Sequence, residues 1–275
     1  MLSRALLGAL TLVGGSLFAA NANALATLRV CLLANNPPYS VEASHEGFDV
    51  ATGRAVARAL KRKFVAEWVP NEINPQEIEE SNFPLQRLAH GKCDAIFSVP
   101  GPARDSLRDA PKLSLGLPYY GAAFELIGRV GTPNRLRALR DLPVAIQAQT
   151  IASFALAILH AKQQTYFAAL PALEGIAKGD AAAGLLWGPV AGWQLARHPE
   201  LKLRIADGYA PPAALSWNLH VATRRADGDL RATIDATLHA LAADGQLARL
   251  AQTQGFHLYA PFATTYSLTE INKLH

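Results

Sequence analysis

The chain has 275 residues, of which 50% are hydrophobic and 17% are charged. This length supports one large domain or two medium ones with cores of their own, and the composition excludes an intrinsically disordered protein. The net charge of +4 comes from scattered Lys and Arg residues. The one basic run, at 61–63, follows a predicted helix whose negative end favours cations, so it does not indicate a nucleic-acid partner.

The N-terminal segment has the three parts of a secretory signal peptide. Residues 1–4 carry a positive charge, residues 5–20 are mostly apolar, and residues 22–26 provide small side chains at cleavage spacing. We predict a signal peptide at 1–26 that is cleaved near Ala26, and a periplasmic mature protein. The apolar run is too short to span a bilayer comfortably, and no later run reaches transmembrane length.

The first half of the mature chain alternates predicted strands and helices. The strands are predicted at 27–33, 64–70, 93–99 and 121–130, and the helices at 47–63 and 85–89, with a polar, acidic connection at 71–83. In the first helix Val50, Val56 and Leu60 fall towards one face. This succession predicts a parallel sheet with covering helices.

The second half repeats the alternation. Strands are predicted at 142–147, at 184–187 and at 217–225, and helices at 148–162, at 168–180 and, as a pair, at 228–255. The extended segments 121–130 and 217–225 link the two halves. The sequence therefore predicts two lobes with a cleft between them, which is a favoured place for a ligand.

The chain has two cysteines, Cys31 and Cys93, and each lies on a predicted strand. Strands joined by a helix are often neighbours in a sheet, so the pair could form a disulfide in an oxidising compartment. Adjacent strands do not guarantee the required side-chain geometry, and two buried thiols are the alternative. The eight His residues are dispersed, so no metal site is predicted.

Five stretches resemble, in order and roughly in spacing, the periplasmic solute-binding proteins of family 3, the amino-acid-binding type. The stretches are LRVCLLANNPPYSVEASHEGFDVATGRAVARAL, GKCDAIFSVPG, LPYYGAAFELIGR, LPVAIQAQT and GDLRATIDATLHALAADGQLARLAQTQGF. The resemblance implies a two-lobed α/β fold of the type II binding-protein class, with two mixed sheets, covering helices and a two-strand hinge. It assigns 27–125 and 218–275 to the first lobe and 126–217 to the second. The C-terminal segment could lie along a lobe or reach towards a partner.

The same resemblance raises a question about the ligand. Amino-acid binders of this family bind the ligand carboxylate with an Arg of the first lobe and the ammonium with an Asp of the second, because a buried zwitterion needs both charges matched. Trp187 stands where that Asp is expected, and no acidic residue near it in the sequence offers a replacement. Arg104 and Arg108 are candidates for this Arg, although counting back from Pro118 places Asp109, and neither arginine, at the expected position. Both arginines could instead be solvated surface residues. These departures disfavour an amino-acid ligand.

A narrower set of features resembles the quinoprotein-dehydrogenase-associated branch of the family, which includes the MxaJ and XoxJ type. The features are Cys31, the Cys93 and Asp94 pair, the Val-Pro-Gly at 99–101, and the Trp-Gly-Pro at 187–189. That branch implies an accessory factor for a periplasmic dehydrogenase. The dehydrogenase would carry pyrroloquinoline quinone and a metal ion, and this chain would bind no cofactor. The long connection between 101 and 120 departs from the branch.

Three functions compete on this frame. The first is the accessory role, in which the cleft contacts a partner or a planar, apolar ligand. The second is a solute receptor of an ABC transporter for a small organic molecule. The third is an enzyme acting in the cleft, with His45, Glu46 and Glu67 as acid–base candidates, but these form no recognisable constellation. We therefore predict a protein without catalytic residues.

The candidate cleft residues, for a ligand or a partner, are Tyr39, Phe97, Arg104, Arg108, Tyr119, Gln147, Thr150 and Trp187. Trp187 could face the cleft or pack between the lobe core and the following helix. Trp193 is predicted to serve packing alone.

Overall fold

The computed structural model describes residues 25–71 and 83–274. The predicted signal peptide, up to residue 24, and most of the acidic connection at 71–83 lie outside these residues. Within the described part of the chain, no helix combines the length and apolar character needed to cross a membrane.

The strands are β1 (Thr27–Leu33), β2 (Asn35–Asn36), β3 (Ser40–Val41), β4 (Lys63–Val69), β5 (Ile96–Pro100), β6 (Leu113–Leu115), β7 (Tyr120–Gly128), β8 (Pro143–Gln147), β9 (Lys162–Tyr166), β10 (Ala183–Trp187), β11 (Arg204–Ile205) and β12 (Ser216–Arg224). The helices are α1 (Phe48–Ala59), α2 (Pro84–Ala89), α3 (Ala103–Ser106), α4 (Ile151–Ile158), α5 (Ala169–Lys178), α6 (Gly188–Arg197), α7 (Gly228–Ala243), α8 (Gln246–Thr253) and α9 (Leu268–Ile271).

Two long strands, β7 and β12, form the hinge. They pair with each other antiparallel, from Ser216 opposite Ala123 to Leu219 opposite Tyr120. Beyond this stretch β12 pairs with β5 and β6, whereas β7 pairs with β10 and β11. The sheet order β5-β12-β7-β10-β8-β9 therefore joins two mixed sheets through two shared strands. The predicted two-lobed α/β fold is confirmed.

The first lobe contains β1 to β6 with α1, α2, α3, α7 and α8. Strand β1 pairs in parallel with β4 and reaches the start of β5 through a bridge between Val30 and Ala95. Helix α1 covers this sheet with the buried residues Phe48 and Val56. Gly53 allows a close approach of α1 to β4, because a Cβ at that position would lie 2.8 Å from the Phe64 ring.

The two cysteines form a disulfide in the first lobe. Cys31 and Cys93 are both buried, and their Cα atoms are 5.6 Å apart. The backbone N–H of Cys31 donates to the carbonyl of Ala95 at 3.0 Å, which holds β1 beside the chain that follows Cys93. The disulfide considered from the sequence is confirmed, and the alternative of two free thiols is excluded.

The C-terminal segment packs along the second lobe, which contains β8 to β11 with α4, α5 and α6. Ile271 is fully buried and Leu274 is buried beside it, in the core formed by residues such as Leu139 and Leu156. The sequence-based assignment of 218–275 to the first lobe is therefore wrong for this last segment. The chain leaves the first lobe after α8, and Ile271 of α9 is buried in the core of the second lobe.

Strand β9 was not anticipated from the sequence. Its residues Lys162–Tyr166 are almost all exposed, and they lie at the sheet edge in parallel pairing with β8. A polar edge strand lacks the alternation of apolar side chains from which strands are recognised, and such edges resist pairing with other chains.

Candidate functional site

A cavity of about 680 Å³ lies between the two lobes, at the hinge. Side chains from the first lobe, the second lobe and both hinge strands line it. The lining residues are Cys31, Leu32, Leu33, Asn36, Tyr39, Ser40, Asp49, Pro84, Leu85, Ile96, Phe97, Ser98, Val99, Pro100, Ser106, Phe124, Thr150, Ile151, Trp187, Trp217 and Leu219. This volume is in the range of pockets that enclose a small organic molecule.

Three aromatic rings form one wall of the cavity. Trp187 at the end of β10 contacts Phe124 of β7 edge to face, with ring centroids 5.5 Å apart, and Trp217 of β12 at 5.8 Å. Trp217 is stacked from behind by Tyr266, at 5.0 Å between centroids. Trp187 and Trp217 each pack against the cores of both lobes. Trp187 thus lines the cavity, as the first of the two alternatives predicted, and it also packs between the cores of the two lobes.

A hydrogen bond connects the two lobes across the cavity. The indole Nε1–H of Trp187 donates to the hydroxyl of Tyr39 at 2.8 Å, between residues 148 positions apart in the chain. Tyr39 is buried, so its hydroxyl depends on protein partners for hydrogen bonding. In this arrangement a direct side-chain contact bridges the lobes.

We expect this inter-lobe bond to give a measurable coupling energy. Trp187→Phe leaves the buried Tyr39 hydroxyl without its donor, and Tyr39→Phe leaves the indole N–H without an acceptor, so each variant loses about 1–2 kcal/mol of unfolding free energy from the bond. Because both remove the same interaction, the double variant should lose less than the sum of the two. Urea unfolding of the four proteins measures the coupling, and strictly additive losses would contradict the bond.

A buried polar network stands beside the aromatic wall. The Ser98 hydroxyl donates to Oδ1 of Asp49 at 2.5 Å, and the Tyr120 hydroxyl donates to Ser98 Oγ at 2.8 Å. Ser98 has a φ of 53°, and the pairing of β5 with β12 shifts register at this point, which marks a bulge. The bulge turns the Ser98 N–H out of the ladder, and it donates to the Tyr119 hydroxyl at 3.0 Å.

Burial controls the ionisation of this network. Desolvation raises the pKa of Asp49 from 3.8 to about 7, against the smaller lowering effect of the Ser98 hydrogen bond. Desolvation also raises the pKa values of Tyr39, Tyr119 and Tyr120 above the usual range of a phenol. Asp49 is therefore the group of this network that titrates near neutral pH.

The charged side chains of the cavity lining limit the class of ligand that it can bind. Among the described residues that line it, Asp49 is the single Asp or Glu, and none is Lys, Arg or His. A carboxylate bound here would lose its contact with water, and the described lining would supply no cationic side chain to compensate for that loss. The described part of the lining does not offer the pair of opposite charges that a zwitterion requires.

The structure brings together four of the eight predicted cleft residues. Tyr39, Phe97, Thr150 and Trp187 line the cavity. Thr150 precedes α4, and its hydroxyl donates to the carbonyl of Gln147 at 2.8 Å.

The other four predicted residues lie outside the cavity lining. Arg104, on the short helix α3, and Arg108, in the turn after it, are both exposed, and Arg104 lies 3.6 Å from Asp105. Tyr119 is buried behind the wall, where its ring contacts Phe97 edge to face at 6.4 Å. Gln147 is half-buried at the end of β8. These four residues were predicted to lie in the cleft, and the structure places their side chains outside the cavity lining.

The three acid–base candidates also lie outside the cavity lining. His45 and Glu46 are exposed, Glu67 is half-buried in β4, and none of the three lines the cavity. Within residues 25–71 and 83–274, no three His, Cys, Asp or Glu side chains are grouped as metal ligands would be.

Sequence reasoning missed Asp49, Ser98, Phe124 and Trp217 as cavity residues. By its sequence position Asp49 falls in the first turn of the helix predicted at 47–63, where an acidic residue is favoured by the helix dipole. One signal was present: α1 begins just beyond the loop that follows β1, and residues at such positions converge on the cleft of α/β proteins. The structure thus supplies an acidic residue to the cavity that holds Trp187, from the opposite lobe.

A larger depression of about 800 Å³ lies elsewhere, at the start of β1 and of α7. Two of its four arginines are already ion-paired: Arg29 with Asp94 at 2.7 Å and Arg224 with Asp227 at 2.6 Å. We therefore place the candidate site in the inter-lobe cavity, where an unpaired acid and an aromatic wall converge.

Solved structures of binding proteins share this architecture. The L-cystine solute receptor of Neisseria gonorrhoeae, in its unliganded open conformation, is 17% identical, with 86% of this chain and 95% of the receptor covered and a TM-score of 0.69. MxaJ from Methlophaga aminisulfidivorans MPT is 18% identical over 84% of this chain and 100% of its own, with a TM-score of 0.62. The periplasmic binding protein XoxJ from Methylobacterium extorquens AM1 is 22% identical, with 85% of this chain and 100% of XoxJ covered and a TM-score of 0.60.

These similarities show the type II periplasmic-binding-protein fold. Comparison with curated protein sequences gave no match. The family model of the bacterial extracellular solute-binding proteins, family 3, matches residues 28–254, which span both lobes and the cavity between them. The chain therefore belongs to the bacterial extracellular solute-binding proteins, family 3.

Proposed function

We propose that this chain is a non-catalytic periplasmic binding protein that assists a quinoprotein dehydrogenase. The observation that carries the proposal is the side-chain set of the inter-lobe cavity, which is aromatic at Trp187 and has no basic residue in its described lining. The partner class comes from the resemblance of Cys31, Cys93 and the Trp-Gly-Pro segment to the dehydrogenase-associated branch. The similarity in fold to MxaJ and XoxJ agrees with that branch.

The chemistry of the cavity argues against capture of a free amino acid. A zwitterion removed from water must find an opposite charge for its ammonium and another for its carboxylate. Asp49 could serve the first, but no residue of the described lining serves the second, since Arg104 and Arg108 are exposed elsewhere. A large aromatic surface is instead typical of sites that contact an apolar ligand or a protein segment.

Three observations support a periplasmic location. The sequence begins with the three parts of a signal peptide, the matched family is described as extracellular, and XoxJ is a periplasmic binding protein. The partner dehydrogenase, with its pyrroloquinoline quinone and metal ion, would occupy the same compartment.

A solute receptor of an ABC transporter is the second candidate. It is favoured by the volume of the cavity, about 680 Å³, and by the similarity to the L-cystine receptor. The two functions differ in what they bind tightly. A receptor should be strongly stabilised against heat by a free solute, such as an organic acid or an alcohol-oxidation product, and should not associate with a dehydrogenase.

We expect the mature protein to retain a quinoprotein dehydrogenase from the periplasm of its own organism. The immobilised protein is incubated with periplasmic extract, and the dehydrogenase is identified by mass spectrometry and by quinone-dependent dye reduction. Trp187→Ala removes one of the three rings of the aromatic wall. It should weaken retention of the dehydrogenase at least tenfold, because buried aromatic residues dominate interface energies.

The matched control is Trp193→Ala. Trp193 lies on α6, six positions further along the chain, where the Arg197 guanidinium covers its ring at 4.1 Å, and it does not line the cavity. This variant should retain the dehydrogenase as the unmodified protein does. Absence of the dehydrogenase from all three samples, together with strong thermal stabilisation by a free solute, would overturn the accessory role in favour of the receptor.

A further inference from the structure

Asp49 is a buried acid without a cationic partner. Its exposed fraction is 6%, and its one described side-chain hydrogen bond comes from Ser98. None of the ion pairs within the described part of the chain includes Asp49. Transfer of a carboxylate from water into such a place is costly unless an opposite charge accompanies it.

The surroundings of Asp49 supply hydrogen bonds but no charge. Ser98 faces it from β5, Tyr119 and Tyr120 from the start of β7, and Tyr39 from the loop before β3. The three tyrosines stay neutral because burial raises their pKa values. The negative charge that develops on Asp49 near neutral pH is therefore compensated by no neighbouring side chain, and a ligand in the cavity could provide the missing cation.

The remainder of the cavity suits the apolar part of such a ligand. Phe97, Trp187 and Trp217 present aromatic surface to the same space that Asp49 lines. Aromatic faces also attract organic cations through the ring quadrupole, most strongly when water is excluded. One acid and several aromatic rings together define a site for a molecule with a single positive charge on an apolar body.

We propose that the inter-lobe cavity binds a small organic monocation, an amine whose ammonium pairs with Asp49 and whose apolar body lies against Phe97, Trp187 and Trp217. This inference deepens the proposed function, on which it rests, by naming the ligand class of the same cleft. Anions and zwitterions are disfavoured because the described lining lacks a cation for their carboxylate.

Four probes that each carry one phenyl ring test the charge preference. Benzylamine is a cation, benzyl alcohol is neutral, benzoate is an anion and phenylalanine is a zwitterion. Titration calorimetry at pH 8 should show benzylamine binding about tenfold more tightly than benzyl alcohol, since a hydrogen bond between charged groups is worth more than one between neutral groups. Benzoate and phenylalanine should bind more weakly than benzyl alcohol.

Two variants locate the preference at Asp49. Asp49→Asn keeps the size of the side chain and should abolish the tenfold advantage of benzylamine, with benzyl alcohol unchanged. Glu42→Gln, at an exposed acid seven positions earlier, removes the same charge outside the cavity and should leave the advantage intact.

The pH dependence of the unmodified protein gives a test that needs no variant. Because the pKa of Asp49 is raised to about 7, benzylamine affinity should rise between pH 6 and pH 8 as the carboxylate ionises, whereas benzyl alcohol affinity should not. Equal binding of benzylamine and benzyl alcohol at pH 8, or no binding of any probe, would overturn the monocation site. Dehydrogenase retention is measured separately, so failure of one proposal leaves a distinct result for the other.

Discussion

Loss of the disulfide between Cys31 and Cys93 is expected to lower the free energy of unfolding by about 4 kcal/mol. The bond closes a loop across 62 positions of the chain, and the chain-entropy model assigns this size of loop roughly that stabilisation. It also fixes β1, a central strand of the first lobe, to the segment that enters β5. A loss of this size is a large fraction of the total stability of an ordinary domain.

The measurement is urea unfolding with and without a reducing agent, with the free thiols titrated to confirm reduction. The double variant Cys31→Ala and Cys93→Ala should be destabilised without reductant and should not respond to it. An unmodified protein whose reduced form unfolds at the same urea concentration as its oxidised form would contradict the expected stabilisation.

The second large effect is expected at Glu125, in the middle of hinge strand β7. Its side chain is 2% exposed and lies at a second cavity, of about 310 Å³, formed by the hinge, the start of α6 and the segment after α8. Oε1 accepts a hydrogen bond from the Tyr259 hydroxyl at 2.7 Å, while Oε2 has no partner within the described residues. Desolvation raises the pKa of Glu125 from 4.5 to about 7.

The sign of the pH effect follows from this pKa. The folded protein holds the Glu125 proton more tightly than the unfolded chain, so the stabilisation is fully present below pH 4.5 and is lost as the pH rises through about 7. His257, 3.9 Å away, does not offset this, because burial lowers its own pKa and favours its neutral form. Ionisation of Glu125 should therefore cost about 2–3 kcal/mol between pH 5 and pH 8.

Glu125→Gln removes the ionisation and keeps the hydrogen-bond acceptor for Tyr259. Relative to the unmodified protein, the variant should gain about 2–3 kcal/mol of unfolding free energy between pH 5 and pH 8. The buried Asp49 titrates in both proteins, so its contribution cancels in this difference. The control variant Glu42→Gln should show no such gain. If the free energy of unfolding of Glu125→Gln equalled that of the unmodified protein at every pH, burial would not hinder the ionisation of Glu125.

Much of the fold could be predicted from local patterns. The alternation of apolar strands and amphipathic helices predicted the α/β layers, and the extended segments 121–130 and 217–225 predicted the hinge that β7 and β12 form. These features depend on periodicity, which adjacent residues in the chain already carry. The polar edge strand β9 carries no such pattern and was missed for that reason.

The candidate site was less predictable because its contacts join distant parts of the chain. Trp187 was predicted to lie at a strand end, but its hydrogen bond to Tyr39 spans 148 positions. Arg104 and Arg108 had the right chemistry for a carboxylate, but both side chains are exposed and neither lines the cavity. Asp49, by contrast, had the ordinary role of a helix-start residue in sequence and became the one acid of the cavity in space.

The sequence by itself determined the two-lobed α/β fold and the family, because these follow from residue type and order. Only the tertiary structure decided which side chains share the cavity, that Asp49 enters it from the opposite lobe, and that the C-terminal segment covers the second lobe. The physical reason is that burial and charge compensation depend on distances between elements, which local sequence patterns do not encode.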